Sequence, residues 1–173
     1  MIPVIRFNYD TPYYIVESSL SLILFDAPAY DHFILRLQHL ISMSLYLSIL
    51  LVDDDVEDQE IFLDAIKEVD PFIHCACAAD GEAALKLLNS DAIVKPDLLF
   101  IDLNMPKQNG KQLLMELKKS DTLKDIAVIM YSTFFGENDI KEITKLGAVH
   151  YLVKATRFND LCASLQHILS KRW

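Results

Sequence analysis

The pattern of apolar and polar positions divides the chain unequally. From Leu47 onward, short apolar runs alternate with amphipathic stretches five times. The apolar runs are Ser48–Val52, Phe72–Ala78, Leu98–Ile101, Ile126–Tyr131 and Val149–Val153. Leu98–Ile101, four consecutive apolar residues bounded by polar punctuation, predicts a strand buried on both faces of a parallel sheet, and the other runs are strand candidates. Between them the apolar residues fall at helical spacing. Ile61, Phe62, Ala65, Ile66 and Val69 share one face, as do Ala84, Leu85 and Leu88, then Leu113, Leu114 and Leu117, then Ile140, Ile143 and Leu146. The last helix carries Leu161, Leu165, Ile168 and Leu169. Asp55 and Asp80 stand where helix N-caps are expected, and Gly147 where the fourth helix should end.

Such alternation implies an α/β fold, a doubly wound five-stranded parallel sheet with helices on both faces. With right-handed crossovers, the expected arrangement is flavodoxin-like with strand order 2-1-3-4-5. Its switch point falls between the first and third strands, and ligands of open α/β sheets lie outside the carboxyl ends of the strands there.

Residues 1–46 read differently. Residues 1–30 are rich in Pro, Tyr and Ser and predict no element, whereas the chain from His32 to Leu47 is apolar on nearly every side. The uncharged run from Leu37 to Val52 has 16 residues, short of the roughly 20 that span a bilayer. No basic start and apolar core mark a signal peptide. Two readings stay open: a helix packing on the domain or on a second copy of it as a homodimer, or a non-native extension ahead of a true start at Met43. The second is favoured, because 47–173 makes a complete domain.

Composition narrows the function. At 173 residues and 52% hydrophobic content, a substantial core is expected. A net charge of −9 argues against direct nucleic-acid binding, which needs a basic stripe. Three cysteines, Cys75, Cys77 and Cys162, are too few for a disulfide framework and lack zinc spacing, so buried reduced thiols in a cytoplasmic protein are expected.

The chemistry gathers where the strands end. The first runs into Asp53-Asp54-Asp55, the third into Asp102, the fourth into Ser132-Thr133 and the fifth into Lys154. Taken alone, the three consecutive acids are an N-cap with solvated neighbours. Beside Asp102 they become a cluster of like charges that asks for a cation. Oxygen-only donors select a hard ion, and Mg²⁺ retaining several waters is the natural choice.

Residues 47–170 resemble the receiver domain of bacterial two-component response regulators. The resemblance rests on Leu50-Leu51-Val52-Asp53-Asp54-Asp55, on Ile101-Asp102-Leu103-Asn104-Met105-Pro106 with Gly110, on Met130-Tyr131-Ser132-Thr133, and on Gly147-Ala148 leading to Tyr151 and Lys154. It implies that Asp102 takes a phosphoryl group from a sensor histidine kinase or phosphotransfer protein. Asp53, Asp54, Asp102 and the backbone carbonyl of Asn104 would hold Mg²⁺, and Lys154 would pair with the phosphoryl oxygens. Ser132 and Tyr151 would act as switch residues, reporting to a surface built from the fourth helix, fifth strand and fifth helix. The catalysis implied is self-directed, not that of an enzyme with an external substrate. Because the chain ends at Trp173, after the fifth helix, a single-domain receiver acting on a protein target is expected.

One departure from the family pattern is Ala155, where proline usually follows the lysine through a cis bond. A cis bond before a non-proline residue costs about 3 kcal/mol, so a trans bond and a shifted loop are expected. Phe134 and Phe135, after the hydroxyl position, either cover the core or slow the approach of water. None of the five histidines lies where a phosphohistidine donor would. Two competing functions are an interaction module independent of phosphorylation and an Asp-nucleophile Mg²⁺ phosphohydrolase. The latter would want an acid two residues after the nucleophile, where this chain has Asn104.

Overall fold

The computed structural model describes residues 4–7, 13–18, 21–26, 46, 48–106 and 109–173. The chain divides into two compact units, residues 1–43 and 44–173. In the first, β1 (Val4–Phe7), β2 (Tyr13–Ser18) and β3 (Ser21–Asp26) form an antiparallel sheet in the order β1-β2-β3. Val4 pairs with Glu17, and Ser18 with Ser21. These strands stand where the sequence pattern predicted no element. Tyr13–Val16 and Leu22–Phe25 are short continuous apolar runs without alternation, and such runs declare a strand only once a partner is present. The helix considered for residues 32–47 lies outside the described residues, Tyr46 excepted.

The second unit alternates as expected. Its elements are β4 (Ser48–Val52), α1 (Val56–Val69), β5 (His74–Ala78), α2 (Gly81–Leu88), β6 (Leu98–Asp102), α3 (Gly110–Lys119), β7 (Ala127–Ser132), α4 (Glu137–Leu146), β8 (His150–Val153) and α5 (Phe158–Leu169). The five strands are parallel in the order β5-β4-β6-β7-β8, the flavodoxin-like 2-1-3-4-5 arrangement. β6 and β7 each run one residue further than predicted, taking in Asp102 and Ser132. β5 starts two residues later, at His74.

Alternate residues of the central strands feed two cores. On one face Leu50, Val52, Leu99, Ile101, Val128 and Met130 meet α2, α3 and α4 through Ala84, Leu113, Leu114, Leu117 and Ile143. On the other, Ile49, Leu51, Leu98, Phe100, Ile129 and Tyr131 meet α1 and α5 through Phe62, Ala65, Ile66, Leu161 and Leu165. This double burial explains why the strands read as unbroken apolar runs.

The helix ends obey their signals. Asp55 accepts from the amides of Glu57 and Asp58, and Asp80 from that of Ala83. Gly147 closes α4 in the left-handed conformation at φ 99°, which glycine adopts without a Cβ penalty. No helix among the described residues is long and apolar enough to cross a membrane. Cys75 and Cys77 are half-buried on one face of β5, and all three cysteines are free thiols.

His150 on β8 stacks on Trp173 with ring centroids 5.0 Å apart. Burial, followed by the charges of Lys171 and His167, lowers its pKa below the ordinary 6.5. The unfolded chain therefore binds a proton before the folded chain does as pH falls. Stability should be unpenalised above about pH 6.5 and should decline on acidification below it. Urea midpoints at pH 7.5 and 5.5 should differ less for His150→Gln than for the unchanged chain.

Candidate phosphoryl and metal site

The site forms because four of the parallel strands end at the same edge of the sheet. β4 delivers Asp53, which is fully buried, and then Asp54, which is exposed. The Asp53 backbone is fixed on both sides: its amide donates to the Ala78 carbonyl at 3.0 Å, and its carbonyl accepts from Gln59 Nε2 at 2.6 Å. Its Oδ1 accepts from the Asp55 amide at 3.1 Å. β6 delivers Asp102, buried at its last position, with Oδ1 accepting from the Asn104 amide at 2.9 Å. β7 delivers Ser132, buried, whose Oγ accepts from Asn104 Nδ2 at 3.0 Å. β8 delivers Lys154, whose amide donates to the Ser132 carbonyl at 2.8 Å.

Lys154 closes the group electrostatically. Its ammonium donates to Asp53 Oδ2 at 2.7 Å and Asp102 Oδ2 at 2.9 Å, and lies 5.3 Å from the centre of the Tyr131 ring. Burial opposes its charge, but the carboxylate hydrogen bonds outweigh it and raise its pKa. Burial also pushes the Asp53 carboxyl above the usual carboxylate range; Lys154 pulls it back and the Asp102 charge adds to the rise. The described residues contain no cis peptide bond, as expected from Ala155, and the lysine stem reaches the acids.

Ligand oxygens of Asp53, Asp54 and Asp102 lie within 4.8 Å of one another. Three oxygen donors this close, two of them buried, suit a hard divalent cation and would otherwise repel. Tyr151 sits on β8 beside this edge, 37% exposed, its ring 5.2 Å from that of Phe135. Phe135 is buried in the core, whereas Phe134 is exposed.

Two contacts escaped the sequence reading. Asp58, on the first turn of α1, accepts from Lys154 Nζ at 2.7 Å. Acids at a helix start read as dipole partners, and nothing in the spacing ties Asp58 to a lysine 96 residues away. The Asn104 side chain spans to Ser132, linking the β6 and β7 ends, and also followed from no local signal.

A parallel α/β sheet whose carboxyl rim gathers three acids, a hydroxyl and a lysine defines a class of phosphoryl-responsive domain. Residues 49–166 match the response regulator receiver domain family, and the chain belongs to that family. It is 31% identical over 126 residues to the response regulator Rcp1 of Synechocystis, covering 70% of this chain and 86% of that protein. The Mn²⁺-bound form of Rcp1 is similar in structure, with a TM-score of 0.64 and 29% identity over 73% of this chain and 96% of that one. The phosphorylated cyanobacterial phytochrome response regulator RcpA also scores 0.64, at 28% identity over 71% of this chain and 91% of that one. Of several other curated relatives, the transcriptional regulators among them, the chain spans only about half the length.

Proposed function

We propose that Asp102 is the phosphoacceptor of a two-component receiver, with Mg²⁺ held by Asp53, Asp54, Asp102 and the backbone carbonyl of Asn104. The observation that carries this reading is the meeting of Asp102 with Asp53, Asp54 and Lys154 at the sheet rim. An Asp102 carboxylate oxygen attacks the phosphorus of a phosphohistidine on a sensor histidine kinase or phosphotransfer protein. The new O–P bond forms as the N–P bond breaks, and the imidazole leaves with the electron pair. Held by these oxygens, Mg²⁺ would supply positive charge beside the transferring group. Lys154 pairs with a phosphoryl oxygen, adding a fixed positive charge where negative charge gathers.

The product carries added charge beside Ser132. The Ser132 oxygen accepts from Asn104 Nδ2, and its O–H would donate to a phosphoryl oxygen, a contact that only the modified state makes. Ser132 and Tyr151, the latter with its ring against Phe135, form the switch that carries this change to the face of α4, β8 and α5. The catalysis is self-directed: uptake at Asp102 and later hydrolysis. Residues 47–173 carry this function in the cytoplasm, acting on a protein target and not on nucleic acid.

Incubation with acetyl phosphate and Mg²⁺, followed by intact mass measurement, tests the reading. A gain of one phosphoryl group is expected, absent without Mg²⁺ and absent in Asp102→Ala. Unchanged labelling of Asp102→Ala, or none in the parent chain, would sink it.

A further inference from the structure

Asp58 lies outside the set of residues that the proposed function uses, yet its bond to Lys154 is as short as that of Asp53. The Lys154 side chain is 9% exposed, and its ammonium is enclosed by Asp53 Oδ2, Asp58 Oδ2 and Asp102 Oδ2. The other oxygens of Asp53 and Asp102 already accept from backbone amides, those of Asp55 and Asn104. A cation arriving among Asp53, Asp54 and Asp102 therefore competes with the ammonium for two carboxylates whose lone pairs are already partly taken.

That competition sets the problem Asp58 answers. An ammonium this buried cannot recover its lost hydration if Asp53 turns toward a metal, and an under-partnered buried charge is costly. Asp58 is not among the acids that meet at the metal site, and at 37% exposure its carboxylate reaches in from the rim. We infer that Asp58 is a positioning residue for Lys154, keeping the ammonium beside Asp102 while Asp53 is handed to the divalent cation. The inference rests on the reading that Asp53, Asp54 and Asp102 bind such a cation.

Two consequences have opposite signs. Removing Lys154 deletes a positive charge that competes for the metal ligands, so Lys154→Met should bind divalent ions more tightly, although it lacks the group that pairs with a phosphoryl. Removing Asp58 leaves the ammonium dependent on Asp53 and Asp102 alone, so Asp58→Ala should bind them more weakly. Alanine is the best helix former and Asp58 lies at the rim, away from the buried face of α1 that Phe62, Ala65 and Ile66 form, so the variant should fold, which circular dichroism will verify.

A double-mutant cycle on the full chain separates positioning from simple charge. The dissociation constant for Mn²⁺, used as the probe ion, is measured by electron paramagnetic resonance for the parent, Asp58→Ala, Lys154→Met and the double variant. Asp58→Ala is expected to weaken binding about fivefold with Lys154 present, and by less than about twofold in the Lys154→Met background. An equal loss in both backgrounds would mean that Asp58 acts only as a distant negative charge and would overturn the inference, as would no loss in either. Absence of saturable Mn²⁺ binding by the parent chain would instead overturn the cation reading, and this inference with it.

Discussion

Gly110→Ala should lower stability by on the order of 3 kcal/mol and sharply reduce phosphoryl uptake at Asp102. Gly110 opens α3, and a Cβ built on it would lie 2.2 Å from the Asp102 carbonyl oxygen and 2.9 Å from Met130 Cε. The methionine tip can move; the carbonyl belongs to the last residue of β6 and cannot yield without moving the proposed phosphoacceptor. The Gly110 amide also donates to the Leu103 carbonyl at 3.1 Å, so the start of α3 is tied to the same loop. Either the helix start or the Asp102 backbone must shift. Urea unfolding reads the first effect and acetyl phosphate labelling the second. Parent-like behaviour in both assays would show that the close approach is not a constraint.

Phe62→Ala should cost about 3–5 kcal/mol, the usual range for deleting a buried phenyl ring. Phe62 is fully buried on α1, with its ring edge-to-face against Phe100 of β6 at 4.9 Å and Tyr131 of β7 at 5.5 Å. The cavity would open beneath the two strands whose ends carry Asp102 and Ser132. Tyr131 is also the ring over which Lys154 Nζ lies, so its loosening should reach the site. The expected result is a lower urea midpoint, measured by circular dichroism, with weaker Mn²⁺ binding. Phe62→Leu, which refills most of the volume, should recover most of the stability. A loss below about 1 kcal/mol for Phe62→Ala would show that the core collapses around the gap.

The two substitutions act on different links of one chain of cause. Gly110 matters because backbone passes close to backbone, a constraint of covalent geometry. Phe62 matters because a helix and two strands share one apolar contact. Both converge on the rim because Asp102 and Ser132 are the last residues of buried strands and Asp53 directly follows another. A rim built this way has little freedom of its own: Asp53, Asp102 and Ser132 are each fixed by the strand behind them.

By itself the sequence determined the alternation of strands and helices, the strand order and the identity of the acids, hydroxyl and lysine at the strand ends. It could do so because double burial leaves continuous apolar runs, helices leave their own period, and caps leave Asp55, Asp80 and Gly147 in readable places. The tertiary structure alone decided the β1-β2-β3 sheet, whose short apolar runs carry no period until they pair. It alone decided that Asn104 reaches Ser132 and that Asp58 grips Lys154, contacts spanning 28 and 96 residues. Local patterns record which face of an element is buried, but they hold no record of which polar side chains a crossover will bring together.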